Sequence, residues 1–263
     1  MVACRARTFR PRTHAAKRVG ADSVVCVFSV VKKANQIAAH RLALLLATLC
    51  LPGLQAAAQP AETGDFRAPD LVELVRLDPS IHLDIRYATN NNFTGRKLYA
   101  EARAFLQRPA AEALLRAHRA LKPLGYGLLV FDGYRPWSVT KLFWEVTPPD
   151  KHKFVADPQK GSRHNRGCAV DVGLYDLRSG KEVAMPSAFD EMSDRAAADY
   201  KGGTTEQRRA RALLRQTLEK EGFSVNPDEW WHFDYQDSPL YRILDLPFAA
   251  IHASPRAPDA AQP

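Results

Sequence analysis

The sequence predicts an α+β fold: a single domain with a mainly antiparallel sheet flanked by helices. Strand-like and helix-like segments come in clusters, without the strict alternation that a parallel sheet with crossover helices requires. Two long segments have helical period with clear start and stop signals, and several short apolar runs have the period of two of a strand. No internal repeat is evident. With 46% hydrophobic and 25% charged residues, the 263-residue chain has ordinary globular composition.

The elements follow in order. LVELVRLDPSIHLDIRYAT alternates apolar and polar residues and predicts strands broken at Asp78-Pro79. RPAAEALLRAHRALKPLG predicts a helix: Pro109 suits its first turn, Leu114, Leu115 and Leu121 recur at helical spacing, and Gly125 ends it. YGLLVFDGYRP reads as a buried strand leaving at a glycine turn, and PWSVTKLFWEV as a short helix begun by Pro136. Residues 148–162, with Pro148-Pro149 and DPQKGS, read as loop. CAVDVGLYD is a strand by its period of two. In TTEQRRARALLRQTLEKEGF the Thr204…Gln207 spacing fits a capping box, and Gly222 ends the helix. FSVNPDEWWHFDY predicts a last strand rich in aromatic residues.

The ends differ from this body. KKANQIAAHRLALLLATLCLPGLQAAAQP has a positive flank, an apolar stretch at Leu42–Leu51 and small residues at Ala56-Ala57-Ala58, the pattern of an export leader over residues 1–58. The alternatives are a buried core helix or an uncleaved anchor; a lipoprotein at Cys50 is disfavoured, because bulky Leu49 stands where a small residue is expected. The long basic flank also leaves room for a misassigned start. Such a leader implies an exported, periplasmic protein with no stable membrane association after cleavage. Residues 59–73 are expected to be a flexible mature N-terminus, 74–247 the domain, and the Pro/Ala-rich residues 248–263 a disordered tail.

Charge follows the same division. Nine of the 37 Lys/Arg but one of the 29 acidic residues lie in residues 1–58, so the formal +8 belongs to the leader. The remainder is formally neutral, which argues against a nucleic-acid partner. Of four cysteines, only Cys168 lies beyond the leader, so neither an intramolecular disulfide nor a thiolate cluster is expected there. Cys168 reads as a small packing residue.

The chemistry concentrates in GSRHNRGCAVDVGLYD. Asp171 sits inside a strand-like run, and a buried carboxylate must be protonated, paired or bound to a metal. His164 lies seven residues before it, across a turn at Gly167 that brings both side chains to one side. DEWWHF adds His232, with Glu229 three residues earlier. Two imidazoles and one carboxylate form a ligand set for catalytic zinc that keeps a fourth position for water. Glu229, unligated, stands where it could take that water's proton. Trp230 and Trp231 read as core or pocket wall.

SRHNRGCAVD matches the S-x-H-x-x-G-x-A-x-D pattern of zinc D-Ala-D-Ala peptidases, and EWWH their E-x-W-H pattern. With RYATNNNFTGRKLY, GYGLLVFDGYRP, AFDEMSD and GFSVNPDEWWHF, the chain resembles the D-alanyl-D-alanine dipeptidase (VanX-like) family from about Leu74 to Pro247. The resemblance implies one zinc ion on the sheet, held by His164, Asp171 and His232, with Glu229 as general base and later acid. It implies Arg135 as oxyanion stabiliser, Tyr87 and Asp190 as the site for a dipeptide's ammonium, and Ser162 as a polar contact near the site. The implied reaction is hydrolysis of D-alanyl-D-alanine. The alternative is a D,D-carboxypeptidase or endopeptidase acting on peptidoglycan stems. Read from the residues alone, Arg135 could pair with Asp132, Tyr87 could be core, and Asp190 could cap a helix over 191–200. Arg163 departs from the small polar residue expected beside the ligand and places a long cation at the site mouth.

Overall fold

A computed structural model describes residues 58–251. Residues 1–57, nearly all of the expected leader, and the last twelve residues lie outside this range, so the expectations for them are not addressed by it. The strands are β1 (Leu71–Glu73), β2 (His82–Leu83), β3 (Phe105–Gln107), β4 (Tyr126–Asp132), β5 (Ala169–Asp176), β6 (Phe223–Asn226) and β7 (Glu229–Tyr235). The α-helices are α1 (Leu74–Leu77), α2 (Arg108–Leu121), α3 (Trp137–Val146) and α4 (Thr205–Glu219). A five-stranded sheet runs β2-β4-β5-β7-β6, antiparallel except for the parallel β2–β4 edge, and β1 and β3 form a separate antiparallel pair.

Local signals explain the helices. Pro109 stands in the first turn of α2, where a missing N–H costs nothing, and a short 3₁₀ turn at Lys122–Leu124 then ends at Gly125 in the left-handed region. On α2 the buried side is Ala110, Ala111, Ala113, Leu114, Ala117, His118 and Leu121. Its alanines let the helix approach β4 closely, and each buried leucine contributes about 1.5–3 kcal/mol. Helix α4 opens with the full capping box: Thr204 Oγ1 accepts from the Gln207 amide, and Gln207 Oε1 from the Thr204 amide. It lies against β5, β6 and β7 and touches α2.

Several expectations need correction. Within LVELVRLDPS, residues Leu74–Leu77 form a helical turn rather than strand, because β1 has already spent its pairing on β3 and ends at Glu73. FSVNPDEWWHFDY is not one strand but a hairpin, β6 and β7, turning at Pro227-Asp228. No helix forms over 191–200; that stretch holds only a 3₁₀ turn at Asp194–Ala196, capped by Ser193. The segment expected to be a flexible N-terminus is tied down. Glu62 bonds Arg166 and the Ile243 amide, the Arg67 amide donates to Leu240 O, and β1 lies within residues 59–73. The expected tail likewise starts too early, since Phe248 and Ile251 are buried in the core. Among the described residues no helix is long and apolar enough to cross a membrane.

Candidate metal centre and substrate cleft

The eight residues singled out by the sequence line one cleft of about 830 Å³. Strand pairing brings two of them together. Asp171 on β5 stands directly opposite His232 on β7, although 61 residues separate them. His164 comes from a 3₁₀ turn, His164–Arg166, that ends at Gly167 with φ of 68°. A side chain there would be strained, and its Cβ would lie 2.5 Å from Leu71 Cδ2. This left-handed glycine returns the chain into β5, so His164 and Asp171 meet.

The three form a nearly equilateral triangle of donor atoms. His164 Nε2 lies 3.1 Å from His232 Nδ1 and 3.2 Å from Asp171 Oδ1, and the last two are 3.1 Å apart. A tetrahedral zinc with bonds near 2.0–2.1 Å needs donors about 3.3 Å apart. The triangle therefore fits that ion, and the donor types fit as well. The ring nitrogens pointing away are occupied. His164 Nδ1 is 2.6 Å from Gly133 O, and His232 Nε2 is 3.0 Å from Asp234 Oδ1. Each imidazole thus has an acceptor for its N–H, leaving the inner nitrogen's lone pair to face the triangle.

Asp171 is buried, as its place in β5 implied. Burial opposes its charge, but the His164 and His232 imidazoles hold its carboxyl well below the usual range. Its second oxygen lies 3.5 Å from Arg135 Nη2. Arg135 also donates through Nε to Asp132 Oδ2 at 2.9 Å, and Asp132 sits opposite Asp171 where β4 is irregular at Val130/Asp132. So the Asp132–Arg135 pair anticipated from the residues is present, and Arg135 reaches the cleft as well. Its guanidinium packs 4.6 Å from the Phe143 ring centre and 5.5 Å from that of Tyr87.

Glu229 is not part of the triangle. Its Oε2 is 3.9 Å from His232 Nδ1 and accepts from Asn226 Nδ2 at 2.9 Å. Strict strand alternation would send Glu229 and His232 to opposite faces. A register irregularity at Val225/Asn226, at the hairpin end, accompanies their shared orientation. Burial pushes the Glu229 carboxyl up to about 7, with the Asp171 charge adding to the rise.

Across the cleft, the Tyr87 hydroxyl lies 3.0 and 2.9 Å from the two oxygens of Asp190. Tyr87 is buried, so its core role and its contact with Asp190 coexist. Asp190 has φ of 61°, the sole non-glycine residue among those described with positive φ. Such a conformation costs about 1–3 kcal/mol and persists where surroundings impose it. Burial and the Asp171 charge hold its carboxyl well above the usual range. No Lys or Arg among the described residues forms a salt bridge with it, so a cation brought beside it would favour its charged form.

Ser162 Oγ accepts from the His164 amide at 3.2 Å and so braces a triangle member while lining the cleft. Cys168 is buried, its thiol pushed by burial up to about 12, and it lies outside the metal-ligating group. Trp230 and Trp231 are buried, the second in the cleft wall. Reading the sequence overlooked Asp234 and Asn226. The H-x-D spacing on a strand, which places both side chains on one face, was a signal for Asp234. Nothing local marks Asn226, whose contact depends on the hairpin.

A family model described as D-ala-D-ala dipeptidase (Peptidase_M15) matches residues 67–251. A D-alanyl-D-alanine dipeptidase of Escherichia coli K12 is 32% identical over 182 residues, covering 69% of this chain and 93% of that protein. One from Enterococcus faecalis is 35% identical over 184 residues, covering 62% and 91%. Among solved structures, the LdcB LD-carboxypeptidase superposes with a TM-score of 0.40 at 20% identity, over 68% of this chain and 74% of that one.

Proposed function

The chain belongs to the D-Ala-D-Ala dipeptidase family, and from that premise we propose how its own residues carry out the reaction. The protein is a metallopeptidase whose activity is zinc-dependent hydrolysis of the dipeptide D-alanyl-D-alanine. The observation that supports the assignment of roles is the donor triangle with an unligated, proton-accepting carboxylate beside it.

His164, Asp171 and His232 would hold one zinc ion. A zinc ion held there would supply Lewis-acid activation of a water and of the scissile carbonyl. Glu229 takes the proton of the attacking water. Its raised affinity for protons suits it to hold that proton and deliver it to the leaving amine. Asn226 keeps one Glu229 oxygen engaged and so limits the carboxylate's rotation. Arg135, anchored by Asp132 and enclosed by aromatic rings, offers positive charge where the carbonyl oxygen becomes an anion. Asp190 and Tyr87 take the substrate's free ammonium, and Ser162 supplies a polar contact.

The alternative substrate class, peptidoglycan stem peptides, has a blocked amine where the dipeptide has an ammonium. A buried Asp190 with no Lys or Arg salt-bridged to it favours the free dipeptide, because an ammonium stabilises the charged carboxylate and a neutral, acylated amine does not. The test is hydrolysis of D-Ala-D-Ala and of its N-acetyl form by wild type and Asp190→Ala, with a chelator control. Asp190→Ala is expected to cut kcat/KM on the free dipeptide about ten- to a hundred-and-fifty-fold, the worth of a charge-assisted hydrogen bond, with little effect on the acetylated one. Equal losses on both substrates, or wild-type activity that prefers the acetylated one, would overturn the ammonium site. Chelation should abolish hydrolysis of both.

We propose further that residues 1–58 act as an export leader and that the enzyme works in the periplasm. Mass spectrometry of the mature chain should then find an N-terminus near Gln59. A cytoplasmic protein that retains its leader would exclude export.

A further inference from the structure

One carboxylate touches the triangle without belonging to it. Asp234 lies two residues after His232 on β7, on the same strand face, and both line the cleft. Its Oδ1 is 3.0 Å from His232 Nε2, and its Oδ2 is 3.3 Å from Arg163 Nη1. Each oxygen is thus engaged by a different partner. We propose that Asp234, steadied by Arg163, is a positioning residue that locks the His232 ring with Nδ1 turned toward the metal centre. The inference rests on the zinc site described above.

The chemistry of the ring explains why such a lock matters. His232 presents Nδ1, the nitrogen beside its own Cβ, at 3.1 Å from both Asp171 Oδ1 and His164 Nε2. A flip of the ring would exchange Nδ1 for a carbon and leave the site one donor short. Nearly isosteric packing does not distinguish the two orientations; hydrogen bonding does. In the observed one, Nε2–H donates to Asp234, and in the flipped one a C–H would face that carboxylate. The acceptor also fixes the tautomer, because a proton held on Nε2 leaves the Nδ1 lone pair free.

The two histidines differ in a way that makes this residue testable. His164 is braced by a backbone carbonyl, Gly133 O, which side-chain substitution does not remove. His232 is braced by a side chain. Arg163, in turn, occupies the second oxygen of Asp234 and limits its swing away from the ring. Its side chain is 60% exposed, so solvent screens the pair and its share of the effect is the smaller one.

Zinc dissociation constants, measured by competition with a chromophoric chelator on full-length protein, read the lock directly. Asp234→Ala is expected to weaken zinc binding about ten- to a hundredfold, the usual effect of removing such an outer partner. Asp234→Asn keeps an acceptor oxygen of the same shape and should recover part of that loss. Arg163→Ala should weaken binding by no more than about fivefold. Thermal melts of the metal-free proteins separate a merely structural role. A lowered melt for Asp234→Ala with wild-type zinc affinity would overturn the proposal, as would equal affinity of all variants. If Asp234→Ala fails to fold, the Asn variant decides: affinity no weaker than wild type for it overturns the lock. Wild-type protein that takes up no zinc, or His232→Ala that keeps full affinity, would instead remove the underlying site.

Discussion

Glu229→Ala is expected to keep its zinc and to hydrolyse D-Ala-D-Ala about a hundred to ten thousand times more slowly than wild type. The range is that of losing a positioned general acid–base. Retention of metal follows because Glu229 contributes no atom to the triangle; its nearer oxygen approaches His232 only to 3.9 Å and is held by Asn226. The loss should fall on kcat, with KM little changed, because the carboxylate works on protons in flight rather than on bound substrate. Metal analysis beside steady-state kinetics checks both halves. Loss of zinc in this variant would make Glu229 a ligand or a structural support, and retained turnover would remove it as the base.

Substitution within the triangle should act through the metal itself. His164→Ala, Asp171→Ala and His232→Ala are each expected to deplete zinc and to reduce hydrolysis to background, since a three-donor site has no spare ligand. Asp171→Ala should show a further defect. Its second oxygen faces Arg135, so removing it leaves Asp132 as the guanidinium's remaining carboxylate partner within salt-bridge distance. Because Asp132 still compensates the guanidinium, that defect should be well short of the roughly 3–5 kcal/mol of an orphaned buried charge. Thermal melts of the metal-free Asp171→Ala and wild-type proteins read it. Cys168→Ser, four residues from His164 but outside the ligand group, should keep its zinc. Full occupancy after any one triangle substitution would take that residue out of the set.

Much of the fold and site was legible because the signals are local. Pro109 and Gly125 bracket a helix through their own backbone preferences, and Thr204 with Gln207 caps another across a single turn. Gly167 acts in the same way: its left-handed conformation turns the chain between His164 and Asp171, so their convergence could be read from seven residues. Asp171's strand position also announced that a buried charge needed neutralising.

What the sequence by itself determined, then, was the residue chemistry and the local turns: which side chains can bind a dication, and which of them a short stretch brings to one side. The tertiary structure decided the rest through pairings between distant segments. Register on β5 and β7 set Asp171 opposite His232, and the irregularity beside Asn226 accompanies Glu229 facing the same way as His232 despite their odd separation. The irregular β4 edge set Asp132 opposite Asp171, which let Arg135 serve both. Residues 59–67 became ordered only by bonds to 166 and 237–243, and Asp234 gained its role only once His232's outer nitrogen needed an acceptor. The physical reason is that turn and cap preferences are stored in adjacent residues. Strand register is chosen by the summed burial and hydrogen bonding of whole strands, and that sum exists only when the chain has closed on itself.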